Sequence, residues 1–274
     1  MDLDFLSNFV FENEKNTEVE TKKGLLKFLK QIGVDTRFIS FYQKNTILDD
    51  SAIDDDVKLY IENLRFSKFS KKRTNLFHKY YPNIEVLRSS LFQKICSRAS
   101  KTLANSLNPQ STVLIPKIDN KDNDKYDNKY NELLYIVLEP YSRKYAINFI
   151  EFNENISVDD FDSVISPLNL NQEVSHILND IFNGNGIEWD KKFNLSKFYN
   201  FDNLDINGKD IVFPFINVPE EWINDFLGVK TEYEVDYNNI IVAESFMGFL
   251  AEINPQFKEN ILLASSFLET HQKD

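Results

Sequence analysis

Between residues 24 and 33 the chain reads GLLKFLKQIG. Leu25, Phe28, Leu29 and Ile32 fall at i, i+3, i+4 and i+7 with lysines opposite, the period of an amphipathic helix that Gly33 would end. The stretch SAIDDDVKLYIENL repeats the pattern with Val57, Tyr60, Ile61 and Leu64. Its Asp54, Asp55 and Asp56 suit the positive end of a helix better than a metal site. A further helix is expected over Arg65–Tyr81, with Phe66, Phe69, Leu76, Phe77 and Tyr80 on one side and lysines on the other. Another runs from about Glu85 to Leu107, where Leu87, Leu91, Ile95, Ala99 and Leu103 recur four apart.

Near residue 110 the period changes. STVLIPKI, ELLYIVLEP and YAINFIEF are short runs rich in β-formers, bounded by turn residues, and predict a three-stranded antiparallel meander. ELLYIVLEP is apolar on both faces and takes the central place, while Pro116 sends the first run to an edge. Helices then return in SVDDFDSVIS and in NQEVSHILNDIFNG, which Gly184 would end. KDIVFPFINVP reads as a fourth, irregular strand, EEWINDFLG as a short helix, and two more helices cover roughly 238–253 and 256–270. The expected class is α+β: a helical N-terminal region, a central antiparallel meander of three to four strands and a helical C-terminal region. A boundary at Leu107 divides the chain into a helical region, 1–107, with a basic face and an α+β region, 108–274.

Composition narrows the class without naming a function. A hydrophobic fraction of 42% and a charged fraction of 27% over 274 residues describe a folding globular chain. With 7 glycines, phosphate loops built on glycine are not expected, and GxSxG, GxxxxGK[ST] and GxGxxG are all missing. The single cysteine, Cys96, reads as core filler, and the N-terminal residues lack a secretion signal, so a cytoplasmic setting is expected. No apolar run approaches the roughly 18 residues of a membrane span. No cofactor is implied.

Several motifs dissolve on inspection. The charged stretch 119–132 has calcium-like spacing at Asn120, Asp122 and Asp124, but Lys125 stands where the sharp turn needs Gly, which favours a solvated hairpin loop. His176, with Glu173 and Asp180 in helical reach, reads as an exposed electrostatic cluster and not a metal site. Trp189, Phe193, Phe198 and Tyr199 are candidate aromatic anchors for a partner, although stapling a long loop to the core is the simpler role.

Charge segregation is the most specific feature. From Arg65 to Lys101 ten Lys or Arg face one acid, Glu85, a net of +9 in a chain of net -12. Lys68, Lys71, Lys72, Arg73 and Lys79, followed by the stripe Lys94, Arg98 and Lys101, are the candidate binding residues. They predict a non-catalytic interaction or assembly protein, an adaptor that docks an acidic protein partner or a second copy through a basic helical face. The alternative is a nucleic-acid-associated protein of a low-GC bacterium, phage or mobile element using the same cations on phosphate. An enzyme with an unrecognised carboxylate site is third, since 43 acidic residues supply many pairs that no motif marks.

Overall fold

The structure is a computed structural model that describes residues 20–43, 57–63, 69–116, 125–153, 155–184, 199, 206, 208–229 and 240–272. The chain divides into two compact units, Met1–Ser89 and Ser90–Asp274.

In the first unit, helix α1 (Glu20–Gln31) buries Leu25, Phe28 and Leu29, as its period dictates. Gly33 ends it at φ +77°, where Val34 N–H donates to the Leu29 carbonyl and Gly33 N–H to that of Lys30. A left-handed residue at this point is what that pair of closing bonds requires. Strand β1 (Ile39–Gln43) pairs antiparallel with β2 (Val57–Ile61). Helix α2 (Lys71–Tyr80) then carries the chain to β3 (Glu85–Leu87), which lies parallel to β2.

The helix expected around Val57–Leu64 is therefore a strand, the middle one of a mixed sheet. Leu59 and Ile61 are fully buried and alternate with partly exposed Lys58 and Tyr60, a period of two that a reading in fours passed over. Asp54–Asp56 lie outside the described residues. The helix expected over 65–81 begins only at Lys71, and Glu85–Leu87 is a strand and not the start of the next helix. Phe28, Phe41, Leu59, Phe69 and Phe77 anchor the core of this unit.

The second unit opens with α3 (Ser90–Ser106), which buries Phe92, Ile95, Ala99 and Leu103. Strand β4 (Thr112–Ile115) leads through α4 (Lys125–Tyr145) to β5 (Asn148–Glu151). The chain then passes to the far side of β4, forms β6 (Ser163–Ile165), and continues through α5 (Leu170–Phe182) to β7 (Asp210–Val212). The sheet order is β5-β4-β6-β7, and every pair is parallel. Helices α6 (Glu220–Leu227), α7 (Ile240–Ile253) and α8 (Phe257–Gln272) complete the unit.

This corrects the antiparallel meander. ELLYIVLEP lies within α4, and the apolar run on both faces that suggested a central strand comes from a helix buried around much of its girth. Leu133, Leu134, Val137, Leu138 and Tyr141 are all buried, and at this level of burial a helix and a strand have the same local pattern. The hairpin loop expected at 119–132 is helical from Lys125. With a helix between them, β4 and β5 run parallel, as a helical crossover requires. Pro116 follows the last ladder residue of β4, so it removes no donor from the sheet and β4 is internal, not an edge. SVDDFDSVIS forms a single 3-10 turn over Val158–Asp160, closed by a Ser157–Asp160 capping box, and then enters β6. No described helix is long and apolar enough to cross a membrane.

Candidate functional site

In the parallel sheet, the crossover from β4 to β5 and the crossover from β6 to β7 run in opposite directions. Right-handed crossovers then place α4 and α5 on opposite faces, and the strand order reverses between the carboxyl ends of β4 and β6. Open parallel sheets take ligands at such a point.

The side chains at that edge are unusually polar. At the end of the β4–β6 ladder, the Tyr199 hydroxyl lies 2.7 Å from the Ile165 carbonyl and 3.3 Å from that of Leu114, joining the two strands where their pairing stops. Tyr199 is buried against Phe152, whose ring meets it edge-on at 5.5 Å. Burial pushes its phenol well above the usual range, so it remains a neutral donor. Tyr135 O–H donates to Glu151 Oε1 at 2.5 Å at the end of β5, and burial together with that carboxylate pushes this phenol up as well. Tyr130 O–H donates to the Pro167 carbonyl at 2.6 Å.

The loop from β6 to α5, Ser166-Pro167-Leu168-Asn169, is buried throughout. Asn169 is the N-cap of α5: its Oδ1 accepts from Gln172 N–H, and Gln172 Oε1 accepts from Asn169 N–H. Since Oδ1 must face that donor, Nδ2 is the amide's remaining group. Asn169 Nδ2 and Ser166 Oγ are buried and find no hydrogen-bond partner among the described residues. Each such atom costs about 1–3 kcal/mol. Of the ten buried polar or charged residues among those described, five belong to this loop or to the helices next to it: Ser166, Asn169, Glu173, Glu220 and Asn224. The start of α5 also meets the start of α6, through Leu170 N–H to the Val218 carbonyl and Glu220 N–H to Asn171 Oδ1.

This geometry disfavours phosphate. The N–H groups of Leu170, Gln172 and Glu173 already donate within the protein, so the start of α5 presents no cluster of free donors, and Glu173 adds a buried carboxyl to its first turn. Net charge agrees. Residues 1–89 hold 15 Lys and Arg against 14 Asp and Glu, a net of +1, which leaves -13 for residues 90–274.

The basic residues singled out in the sequence do not form one helical face. Lys71, Lys72, Arg73 and Lys79 lie on α2 of the first unit, while Lys94, Arg98 and Lys101 lie on α3 of the second. Lys68 is outside the described residues. Arginines of both units are tied to their own folds. Arg73 packs its guanidinium against Gly33, where an added Cβ would meet Nη2 at 3.1 Å. Arg88 donates to the Phe69 carbonyl and lies over the Phe69 ring. Arg98 donates to the Asn217 carbonyl at 2.9 Å and to Glu259 at 3.0 Å, and it stacks over Trp222 beside Lys94. Lys71, Lys72, Lys79, Lys94 and Lys101 are exposed.

Of the aromatic anchors, Tyr199 is core, and Trp189, Phe193 and Phe198 lie outside the described residues. Glu173 is buried, so the His176 group is not the exposed cluster expected, and no group of three His, Cys, Asp or Glu fit to hold a metal occurs among the described residues. Sequence reasoning missed Ser166 and Asn169. The signal available was SPLN between an apolar triplet and a helical period, a strand-to-helix loop ending on an N-cap residue.

No protein-family model matches the chain, and no curated protein matches it. Among solved structures, it is similar to the U34-tRNA thiolase NcsA from Methanococcus maripaludis with its 4Fe-4S cluster, at 13% identity and a TM-score of 0.43, over 66% of this chain and 79% of that one. The expectation of a non-catalytic adaptor docking through one basic helical face is corrected by where those residues fall. The candidate cations do not share one helix: they divide between α2 and α3, and the guanidinium groups of Arg73 and Arg98 are engaged within their own units.

Proposed function

We propose that residues 90–274 form a small-molecule-binding α/β unit of the kind that houses enzymes, with its site at the carboxyl edge of β4 and β6. The observation that carries this reading is the pair of buried groups without partners among the described residues, Ser166 Oγ and Asn169 Nδ2, on the loop at the reversal of strand order. Native proteins rarely leave such groups unmatched, and a functional role is one of the reasons they do. The ligand is an uncharged polar molecule with an amide-like edge, of the nucleobase or nucleoside class. A carbonyl or ring-nitrogen acceptor pairs with Nδ2–H, while the Ser166 hydroxyl donates or accepts as the edge demands. Strand order supports this class by analogy only, since doubly wound sheets hold nucleotides at this point. The satisfied start of α5 and the unit's charge of -13 favour the base over its phosphates. A single cysteine suits a cytoplasmic setting.

Both groups are buried, so binding requires local opening around residues 166–169, and association is slower than the usual ~10⁵ M⁻¹s⁻¹. The test is titration calorimetry and thermal shift of the full chain with the four ribonucleosides and their triphosphates. The expected result is that one nucleoside binds, that its triphosphate binds no tighter, and that Asn169→Ser abolishes binding. That variant keeps an N-cap side chain and removes only the amide donor. If none of these ligands binds the folded wild-type chain, or if the triphosphates alone do, the reading fails.

A further inference from the structure

Nine of the ten large apolar side chains exposed in the described residues lie on the end of α5, on α7 and on α8. Helix α7 is apolar on two sides. Ala243, Met247 and Leu250 pack inward against α5 and α8, while Val242, Phe246, Phe249 and Ile253 form a second stripe in solvent. Phe249 and Ile253 are 56% and 65% exposed. The stripe continues onto α5, where Phe182 meets Phe246 edge-on at 5.5 Å, and α8 adds exposed Leu263 and Phe267.

Side chains of this size leave on the order of 100 Å² each in water at these exposures, and the nine together total roughly 900 Å². The largest apolar patch of a typical monomer is about 300–600 Å². One partner's share of a standard interface is about 800 Å². The spacing of the α7 stripe decides the occupant. Successive intervals of four, three and four residues read the same from either end. When α7 pairs antiparallel with its own copy about a two-fold axis, Val242 lies opposite Ile253 and Phe246 opposite Phe249, so all four positions of each copy meet apolar partners.

We infer that the chain forms a two-fold symmetric homodimer in which α7 packs antiparallel against α7 of a second copy, flanked by α8 and the end of α5. This surface is distinct from the basic residues to which the sequence tied self-association, and it does not depend on the ligand site.

Light scattering after size exclusion, on the full chain at low micromolar concentration, is expected to give twice the 32.2 kDa chain mass. Phe249→Glu, an exposed position, is expected to give the monomer mass with an unchanged circular dichroism spectrum. A monomeric wild type, or a dimer indifferent to Phe249→Glu, overturns the proposal. Should that variant unfold, cysteine crosslinking in a Cys96→Ser background decides. Val242→Cys with Ile253→Cys forms a covalent dimer on oxidation, whereas Val242→Cys alone does not, because the eleven-residue offset from 242 to 253 holds the two like cysteines about 16 Å apart. Equal crosslinking of both variants, or of neither, counts against the antiparallel seam.

Discussion

Ser166 is a residue whose removal should improve the empty protein. Its hydroxyl is fully buried without a partner among the described residues, so Ser166→Ala discards a desolvated polar group and little volume. We expect ligand-free stability to rise by about 1 kcal/mol, read as a higher denaturant midpoint at unchanged slope, with loss of nucleoside binding. A drop in stability would mean that the hydroxyl is satisfied and is not a recognition group. The two site residues were hard to find in the sequence for a simple reason. Ser and Asn are ordinary loop and cap residues, and only burial distinguishes these from the many that face water. Tyr199 was flagged as one of four aromatics on a polar segment, and its function as a bridge between Leu114 and Ile165 depends on a strand order that its own neighbourhood does not encode.

At the scale of elements, local signals succeeded where one face met water. Helices α1, α5, α6, α7 and α8 all lie close to where their periods placed them, and Gly33 and Gly184 both take positive φ where they were expected to end a helix. They failed where an element is enclosed. In α4 the sequence ELLYIVLEP ends at Pro140, read as a strand boundary, yet the helix continues through it to Tyr145. Glu139 and Arg143 form an i,i+4 ion pair at 2.7 Å that spans the proline. Helix α8 offers a prediction of its own, because the Lys258 ammonium and Glu221 tie it to α6, and Arg98 and Glu259 to α3. Burial alone would raise the Glu221 carboxyl, but hydrogen bonds and charge from Lys258, aided by Asn171, outweigh it and hold the carboxyl below its usual 4.5. A depressed folded value means that this contribution is whole above about pH 4.5 and is lost as pH falls through the lowered value. Amide exchange in residues 257–272, corrected for intrinsic rates, should therefore accelerate relative to α5 as pH falls below that range. Lys258→Met should remove the step. The effect is small, since Glu221 is 58% exposed and such pairs are weak. An α8 as protected at low pH as at neutrality would show that the pair does not hold the helix down.

At the scale of the molecule, charge and apolar surface act against each other. Residues 90–274 carry -13, and pairing two copies through α7 brings two such units together. Their long-range repulsion is screened by salt, with a Debye length of about 30 Å at 0.01 M and about 8 Å at 0.15 M. The apolar stripe gains nothing from low ionic strength. The dimer should consequently tighten as salt rises from ~0.02 to ~0.3 M, by several-fold in Kd measured by sedimentation equilibrium. An interface made from basic residues against an acidic body, the arrangement that the net +9 window suggested, has the opposite sign and weakens over the same range. The slope therefore discriminates between the two surfaces without a mutation. If association weakens with salt, ion pairs and not Val242, Phe246, Phe249 and Ile253 hold the copies together. If it strengthens, and Phe249→Glu abolishes it at every salt concentration, the exposed side of α7 is the seam.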